Sequence, residues 1–306
     1  MLPNFICPGA ARSATTTLYY LLIQHPQVFL PRIKETKFFA INYDKGLPWY
    51  ESRYYAKAAG EIAIGDISPA YLCHEECPKR IYQSLGPKVK FIFMLRNPIT
   101  RAVSHYNFLR NMQLEDLPLP EAFWSPNRQA RSLRFFHHEY GFQYLKESCY
   151  AQHISRYLEY FNYKNMKFII FEEFINNIEE NLPDLLRFLE VDTRHNFRLD
   201  LYKNQNTGTK RATLSQLFYR NHISQKIRDL IQMNTTWKTQ VVLKKLKNII
   251  LARSDCKTMY TKLNKDILAK LDDYFEHEIT ELEQLLGRDL SIWRHVDDNL
   301  YILTGK

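Results

Sequence analysis

Short apolar runs alternate with amphipathic stretches along the first two thirds of the chain. The run at 89–95 is apolar almost throughout, which is typical of a central parallel strand that is buried on both faces. Strands that alternate with helices predict an α/β fold of three layers, with a central parallel sheet flanked by helices. The predicted strands cover 5–7, 60–65, 89–95 and 167–171, and the predicted helices cover 16–24, 79–85, 99–110 and 151–161.

The C-terminal third has a helical pattern. The segment 266–286 carries its apolar residues on one broad face, and Gly287 is placed to end that helix. Residues 111–140 are less regular, and we expect them to pass over the sheet edge or an active site. Because there is no repeat and no clean linker, we predict a single domain over 1–306. Within it, the Lys-rich segment 211–265 is expected to be helical and to form either a lid or an insertion on the substrate side.

The chain is basic, with a net charge of +9 over 306 residues. This charge suits an anionic small ligand, a nucleic acid or an acidic membrane surface, although a solvated lysine-rich surface gives the same value. The five cysteines are scattered, which argues against a disulfide framework and favours a reducing, cytoplasmic compartment. The Cys/His group at 73–77 has no second pair at a matching spacing, so no metal site is predicted. We expect neither a signal peptide nor a membrane span, since no apolar run reaches the ~18 residues that a span requires.

An anion cradle is predicted where the first strand meets the first helix. The turn of small residues lets backbone N–H groups converge, and the helix N-terminus adds partial positive charge. The plan is P-loop-like, but an ATP-binding loop would have glycine at Ala14 and a lysine after it, whereas the basic residue here is the earlier Arg12. A plain strand–turn–helix connection is the simpler alternative. The cradle residues are Gly9, Ala11, Arg12, Ser13, Ala14, Thr15, Thr16 and Thr17.

A second basic site is predicted at Arg96, which follows the strongest strand at the end where α/β sheets bind ligands. Arg101, Ser104 and His105 share one face of the next helix through their spacing. A kinase would place a Mg²⁺-binding acid at this strand end, and this chain has an arginine that suits a second anion. A structural pairing of Arg96 with a carboxylate is the other reading. A phosphotransferase that uses ATP and Mg²⁺ therefore stays open as the alternative function. A non-enzymatic nucleic-acid or membrane-binding protein is a third, supported only by the basic stretch 238–262.

Taken together, these motifs resemble those of sulfotransferases that use 3′-phosphoadenosine 5′-phosphosulfate (PAPS), in the style of bacterial sulfotransferase-domain proteins and heparan-sulfate-type enzymes. Residues 9–18 resemble the family's 5′-phosphosulfate loop, and 96–106 match its 3′-phosphate element at each fixed position. The segments 34–39 and 65–71 resemble the elements K-E-x-x-F-F and G-[DE]-x-S-P-x-Y. The loop 206–211 resembles the family's late nucleotide-contacting loop.

The resemblance implies in-line transfer of a sulfuryl group from PAPS to a hydroxyl or amine of a small-molecule, natural-product or glycan acceptor, with release of adenosine 3′,5′-bisphosphate (PAP). Arg12 stands where many members have a catalytic lysine, so its implied role is to hold and stabilise charge, since arginine does not give up its proton. Ile67 stands where glycan-acting relatives often have lysine, which weakens the analogy to a heparan-type acceptor. The donor-binding residues that the resemblance implies are Gly9, Ala11, Arg12, Ser13, Ala14, Thr15, Thr16, Thr17, Arg96, Ser104, Gly208, Lys210 and Arg211.

The resemblance also suggests which groups face the acceptor. Glu35 matches the base position of the heparan-type enzymes and is the candidate for deprotonating the acceptor, and His105 is the reserve candidate. We expect no nucleic-acid partner, and a homodimer is left open. The acceptor pocket is predicted to use aromatic and middle-segment residues, each of which is also a plausible core or surface residue: Phe39, Trp49, Tyr71, Tyr106, His137 and His138.

Overall fold

The structure, a computed structural model, describes residues 1–112, 114–125, 141–199 and 263–294. Its centre is a five-stranded sheet in the order β2-β3-β1-β4-β5, with each neighbouring pair parallel. The prediction of an α/β fold with a parallel sheet is therefore confirmed, and the short edge strand β2 is an addition to it. The strands are β1 (Phe5–Gly9), β2 (Val28–Phe29), β3 (Ala63–Ile67), β4 (Lys90–Leu95) and β5 (Met166–Ile170).

The helices predicted from apolar periodicity are present, with ends that differ by at most three residues. Gly287 ends the last described helix in a left-handed conformation, as expected, with φ of 59°. The predicted helical segment 211–265 lies almost entirely outside the described residues. The helices are α1 (Thr15–Leu22), α2 (Phe38–Ile41), α3 (Gly46–Tyr50), α4 (Cys77–Leu85), α5 (Pro98–Asn111), α6 (Leu119–Trp124), α7 (Tyr150–Leu158), α8 (Phe171–Asn176), α9 (Ile178–Phe188) and α10 (Lys265–Leu286).

Two apolar layers cover the two faces of the sheet. Alternate residues of β4 point to opposite faces, so Phe91 and Phe93 join one buried cluster while Ile92 and Met94 join the other. The first cluster includes side chains from α5, α7 and α10, and the second includes side chains from α1 and α9. A strand buried on both faces is apolar throughout, which explains why β4 gave the strongest strand signal.

The carboxyl ends of the central strands β1, β3 and β4 meet at one edge of the sheet. β1 lies between β3 and β4 and is in parallel register with both. Gly65 allows β3 to pass close to β1, because a Cβ at this position would lie 2.1 Å from an atom of the Phe5 ring. The loops that follow these three strands carry the motifs singled out in the sequence, and the fold therefore gathers them at a single edge.

Candidate functional site

The cradle between β1 and α1 is a tight turn with two residues in the left-handed region. Arg12 has φ of 71° and Ala14 has φ of 61°. Ala14 sits at the N-cap of α1 and gives no side-chain hydrogen bond to the helix start. The backbone N–H groups of the first turn therefore have no side-chain cap, which is the arrangement that binds anions. The Ser13 hydroxyl beside them is buried and has no hydrogen-bond partner among the described residues.

The cradle and the second basic site are in direct contact. Arg12 Nε donates to Ser104 Oγ at 3.2 Å, and Arg96 Nη1 donates to the backbone oxygen of Arg12 at 3.1 Å. Arg96 Nε also donates to Thr100 Oγ1 at 2.9 Å, which fixes the guanidinium against the start of α5. The two predicted anion sites are therefore parts of one site. We call Arg12, Ser13, Arg96 and Ser104 the arginine site.

Neither arginine of this site forms an ion pair with a carboxylate in the described part of the chain. Burial lowers the pKa of Arg12 to about 10, and the positive charges of Arg96 and Arg101 contribute. Burial also lowers the pKa of Arg96. Glu172, whose charge acts on Arg96, is held elsewhere: it accepts from the Asn97 backbone N–H at 3.0 Å and from the Trp293 indole at 3.1 Å. Two half-buried cations with no carboxylate within ion-pair distance form a site that an anion would complete.

A cavity of about 200 Å³ opens beside the cradle. It brings together the three predicted catalytic residues, Arg12, Glu35 and His105. The cradle residues Ala11, Thr15 and Thr16 also line it. Its further lining residues are Lys37, Pro69, Ala70, Cys73, Arg101, Phe108, Gly141 and Glu147.

The segment that carries Glu35 is held by a buried carboxylate at the end of β3. Glu35 and Lys37 both have positive φ, at 67° and 54°. Thr36 between them donates to Asp66 Oδ2 at 2.6 Å, and the Lys37 backbone N–H donates to Ser68 Oγ at 3.3 Å. This anchoring explains how two neighbouring residues keep conformations that non-glycine residues rarely adopt.

Asp66 is fully buried and accepts hydrogen bonds from hydroxyl groups. Burial raises the pKa of Asp66, and the hydroxyl donors oppose that rise because they favour the charged carboxylate. We call Asp66 and its four donors the Asp66 cluster. The donors are Thr36 at 2.6 Å, Tyr50 at 2.7 Å and Tyr71 at 2.8 Å to Oδ2, and Ser68 at 2.7 Å to Oδ1.

The predicted aromatic pocket is not found at the cavity. Phe39, Tyr71 and Tyr106 are core residues, with at most 2% of their surface exposed. The hydroxyl of Tyr71 belongs to the Asp66 cluster, and that of Tyr106 donates to the backbone oxygen of Leu117 at 2.9 Å. Trp49 packs in the same aromatic core, against Phe38. These rings are large and apolar, so burial in the core stabilises them more than a place on a polar cavity wall would. The remaining predicted contacts, His137, His138, Gly208, Lys210 and Arg211, lie outside the described residues.

Sequence reasoning missed Glu147 as a site residue. It lies in a helical turn at 146–148 and reaches the cavity next to His105. Arg101 donates to it at 3.1 Å, so this arginine, unlike the two in the arginine site, has a carboxylate partner. His105 and Glu147 are 42 positions apart in the sequence, so no local pattern could have predicted their contact.

Within the ranges that the structure describes, both a metal-binding cluster and a membrane-spanning helix are absent. There, no group of three or more His, Cys, Asp or Glu side chains is arranged to hold a metal ion. Every helix in those ranges is too short or too polar to cross a bilayer.

Comparison with known proteins adds to this geometry. A family model described as "Sulfotransferase domain" matches residues 3–283. Human "Heparan sulfate glucosamine 3-O-sulfotransferase 3B1" is 29% identical over 188 residues, which are 61% of this chain and 46% of that protein. "Membrane-associated sulfotransferase kil1" of Dictyostelium discoideum is 35% identical over 109 residues, which are 35% of this chain and 23% of that protein. This chain spans less than half of the length of these two relatives. The crystal structure of a sulfotransferase from Alicyclobacillus acidocaldarius is 26% identical, with a TM-score of 0.68 over 96% of this chain and 100% of that one.

Proposed function

Because this chain belongs to the sulfotransferase domain family, we propose that it transfers a sulfuryl group from PAPS to a hydroxyl or amine of an acceptor. The observation that carries the proposal is the arginine site, where Arg96 donates to the backbone oxygen of Arg12 and both half-buried guanidinium groups lack a carboxylate partner among the described residues. PAPS has two anionic groups, a 5′-phosphosulfate and a 3′-phosphate. Two linked anion sites at one sheet edge suit such a donor better than they suit a ligand with a single phosphate chain.

The residues present fit this donor. The uncapped start of α1, the buried Ser13 hydroxyl and Arg12 would hold the 5′-phosphosulfate. Arg96 and Ser104 would hold the 3′-phosphate, on the side of the site that faces α5. When bound, PAPS supplies a sulfuryl group that is activated by its bond to a phosphate.

The chain's own contribution is charge stabilisation and positioning. Arg12 and the backbone N–H groups of the cradle are fixed before the donor arrives, so they stabilise developing negative charge without reorganising. Arg12 keeps its proton even with a lowered pKa of about 10, and proton transfer therefore belongs to other groups. Glu35 and His105 both line the cavity, and either one could accept the proton of the acceptor.

The acceptor is a polar molecule in this proposal. The cavity of about 200 Å³ has charged or titratable side chains on several walls, including Glu35, Lys37 and Glu147. Such walls favour hydroxyl-bearing or amine-bearing small molecules, natural products or glycan units over a purely apolar acceptor. A cytoplasmic location and a homodimer remain predictions. The free thiols of Cys7, Cys73, Cys77 and Cys149 support the first of them.

Ligand binding and product mass test the proposal. PAP should bind in calorimetry without added metal, and ATP with Mg²⁺ should bind far more weakly. Incubation with PAPS and a panel of hydroxyl and amine acceptors should then yield a product that has gained one sulfate in mass. Strong binding of ATP with Mg²⁺ together with no binding of PAP would favour a phosphotransferase instead.

A further inference from the structure

The cavity wall opposite the cradle carries a histidine beside a carboxylate. His105 Nδ1 lies 3.1 Å from Glu147 Oε2, and the two side chains are 12% and 8% exposed. The distance is that of an ion pair, and the angle at Nδ1 departs from that of a hydrogen bond. Both side chains line the same cavity as Arg12. The two groups are therefore enclosed together next to the place where the donor is proposed to bind.

A hydrogen bond from Arg101 holds the Glu147 carboxylate in place. Arg101 Nη1 donates to Glu147 Oε2 at 3.1 Å, and the same guanidinium donates to Ser148 Oγ and to the backbone oxygen of Tyr144. The Tyr144 ring also meets the His105 ring edge to face, with centroids 5.4 Å apart. Because Arg101 is fully buried, Glu147 has little freedom to move away from the imidazole. The orientation of His105 is thus fixed by two neighbours.

The second ring nitrogen, Nε2, stays accessible, since Nδ1 is among the buried side-chain atoms that lack a hydrogen-bond partner and Nε2 is not. Nδ1 faces Glu147, and Nε2 lies on the opposite edge of the ring. No hydrogen bond engages Nε2 in the portion of the chain that the structure describes, although the ring lines the cavity. An imidazole with one nitrogen against a carboxylate and the other toward the reacting group is the arrangement that makes histidine a general base.

Glu35, the other candidate base, is placed differently. Its carboxylate pairs with Lys34 Nζ at 2.7 Å, and 40% of its side chain is exposed. The Glu35 carboxylate is thus engaged by a lysine and partly open to solvent. The enclosed imidazole carries no such pairing on Nε2.

We propose that His105 Nε2 accepts the proton of the acceptor and that Glu147 is the positioning residue for His105. The proposal rests on the sulfotransferase function above. The acceptor O–H or N–H bond breaks and its proton moves to Nε2, while the acceptor atom forms a bond to sulfur. The bond between sulfur and the phosphate oxygen of PAPS breaks, and its electron pair stays on PAP. His105 afterwards gives the proton to solvent.

The pH dependence of this step is set by groups from every wall around His105. The cradle contributes Arg12, the helix of His105 contributes Arg101, and the turn at 146–148 contributes Glu147. The further titratable groups of the cavity and its rim are Glu35, Lys37, Cys73 and Tyr144.

Side-chain nitrogen NMR on the full chain labelled with ¹⁵N-histidine tests the geometry without donor or acceptor. The variant His105→Gln assigns the signal. We expect the neutral ring of His105 to carry its proton on Nδ1, beside Glu147, and to lose that preference in Glu147→Ala. A neutral ring with its proton on Nε2 would overturn the proposal, because that nitrogen could not accept a proton.

Kinetics with PAPS test the chemistry, with release of PAP measured for water and for glucosamine as acceptors. We expect His105→Gln to lower kcat by about 10²-fold, the usual size for a general base, while PAP affinity stays within twofold. Glu147→Gln should lower kcat about tenfold, while the KM for the acceptor and the affinity for PAP stay within twofold. The exposed ion pair of His277 with Glu281 supplies the matched controls, His277→Gln and Glu281→Gln, with no change expected.

Two outcomes separate the inference from the function on which it rests. If the wild type turns over PAPS and His105→Gln does so equally well, the proton goes elsewhere and the inference is wrong. If the wild type neither binds PAP nor turns over PAPS, the proposed function fails, whatever tautomer His105 adopts.

Discussion

Two polar clusters lie side by side at the carboxyl edge of the sheet, and they are satisfied to different degrees. In the Asp66 cluster, one buried carboxylate receives four hydroxyl hydrogen bonds at 2.6 to 2.8 Å. In the arginine site, two half-buried cations have no carboxylate partner among the described residues, and the buried Ser13 hydroxyl has no partner there either. Both clusters belong to motifs of the same family, yet only the first is complete within the protein.

The difference separates structural polar groups from functional ones. Buried polar groups are nearly always paired, so a group that stays unpaired calls for an explanation. The Asp66 cluster is explained by the fold, because it anchors Thr36 and thereby the left-handed residues on either side of it. In the arginine site, hydrogen bonds and aromatic rings hold the two guanidinium groups, but only an anion would balance their charge. Mutations in the first cluster should therefore affect folding, and mutations in the second should affect ligand binding and rate.

The largest effect is expected for Arg12→Ala. Removal of one preorganised donor at a developing charge costs about 10²–10³ in rate, so PAPS turnover should fall by that factor. Arg12→Lys should be mild, since it keeps the charge. The free energy of unfolding of the ligand-free protein should change little, because the lost contacts with Ser104 and Phe108 are offset by removal of a positive charge close to Arg96 and Arg101. Normal turnover by Arg12→Ala would show that the cradle is misassigned.

Asp66→Asn should affect stability more than rate, the opposite of what is expected for Arg12→Ala. The amide has one oxygen to accept hydrogen bonds where the carboxylate has two, so several buried hydroxyls lose their partner. We expect the free energy of unfolding to fall by about 2–4 kcal/mol, measured by chemical denaturation, with a matched exposed control in Asp273→Asn. A stability equal to that of the wild type would mean that the Asp66 cluster does not hold the fold together.

Arg96→Ala should weaken PAP binding about 10- to 100-fold, which corresponds to the loss of a charge-assisted contact of about 1.5–3 kcal/mol. Calorimetry with adenosine 5′-phosphosulfate, which lacks the 3′-phosphate, provides the control. The variant and the wild type should bind that ligand equally well. An equal loss of affinity for both ligands would mean that Arg96 acts by holding the cradle loop, through the Arg12 backbone oxygen, rather than by binding the 3′-phosphate.

The fold and much of the arginine site could be predicted from the sequence because their signals are local. The almost wholly apolar run of β4 and the small residues around Arg12 can be recognised in the sequence without knowledge of distant contacts. The local pattern also predicted that Gly287 ends the last described helix. Even so, the sequence did not reveal that Arg12 and Arg96 touch, which depends on the parallel pairing of β1 with β4.

The acceptor side of the site was predicted poorly, and the reason is physical. An aromatic residue serves equally well in a core or on a pocket wall, and its sequence environment does not separate the two. Phe39 and Tyr71 therefore looked like pocket residues and are core residues. The contact of His105 with Glu147 depends on how α5 packs against the turn at 146–148, and such long-range packing has no period in the sequence.

Another buried carboxylate, Glu278, can be compared with Asp66. Glu278 on α10 accepts from the Ala151 backbone N–H, and burial raises the pKa of Glu278 from 4.5 to about 8. The folded protein therefore holds a proton that the unfolded chain has lost between those values, so stability falls as pH rises from about 5 to above 8. Glu278→Gln should remove part of this dependence. We expect it to match the wild type at pH 5 and to exceed it by about 1–2 kcal/mol at pH 8.5, measured by denaturation at both pH values. A constant difference between the two proteins at both pH values would contradict this assignment.

The smallest expected changes in stability and affinity come from substituting two buried serines, Ser13 and Ser68. Ser68 Oγ donates to Asp66, whereas Ser13 Oγ has no partner within the described ranges. Ser68→Ala should thus lower the free energy of unfolding by about 1 kcal/mol, and Ser13→Ala should leave it unchanged or raise it by up to about 1 kcal/mol. In PAP binding the order reverses, with Ser13→Ala weakening affinity by about threefold to tenfold because the anion loses a donor. If Ser13→Ala destabilised the free protein as much as Ser68→Ala does, the Ser13 hydroxyl would have a partner in the fold, and the arginine site would be less incomplete than its geometry indicates.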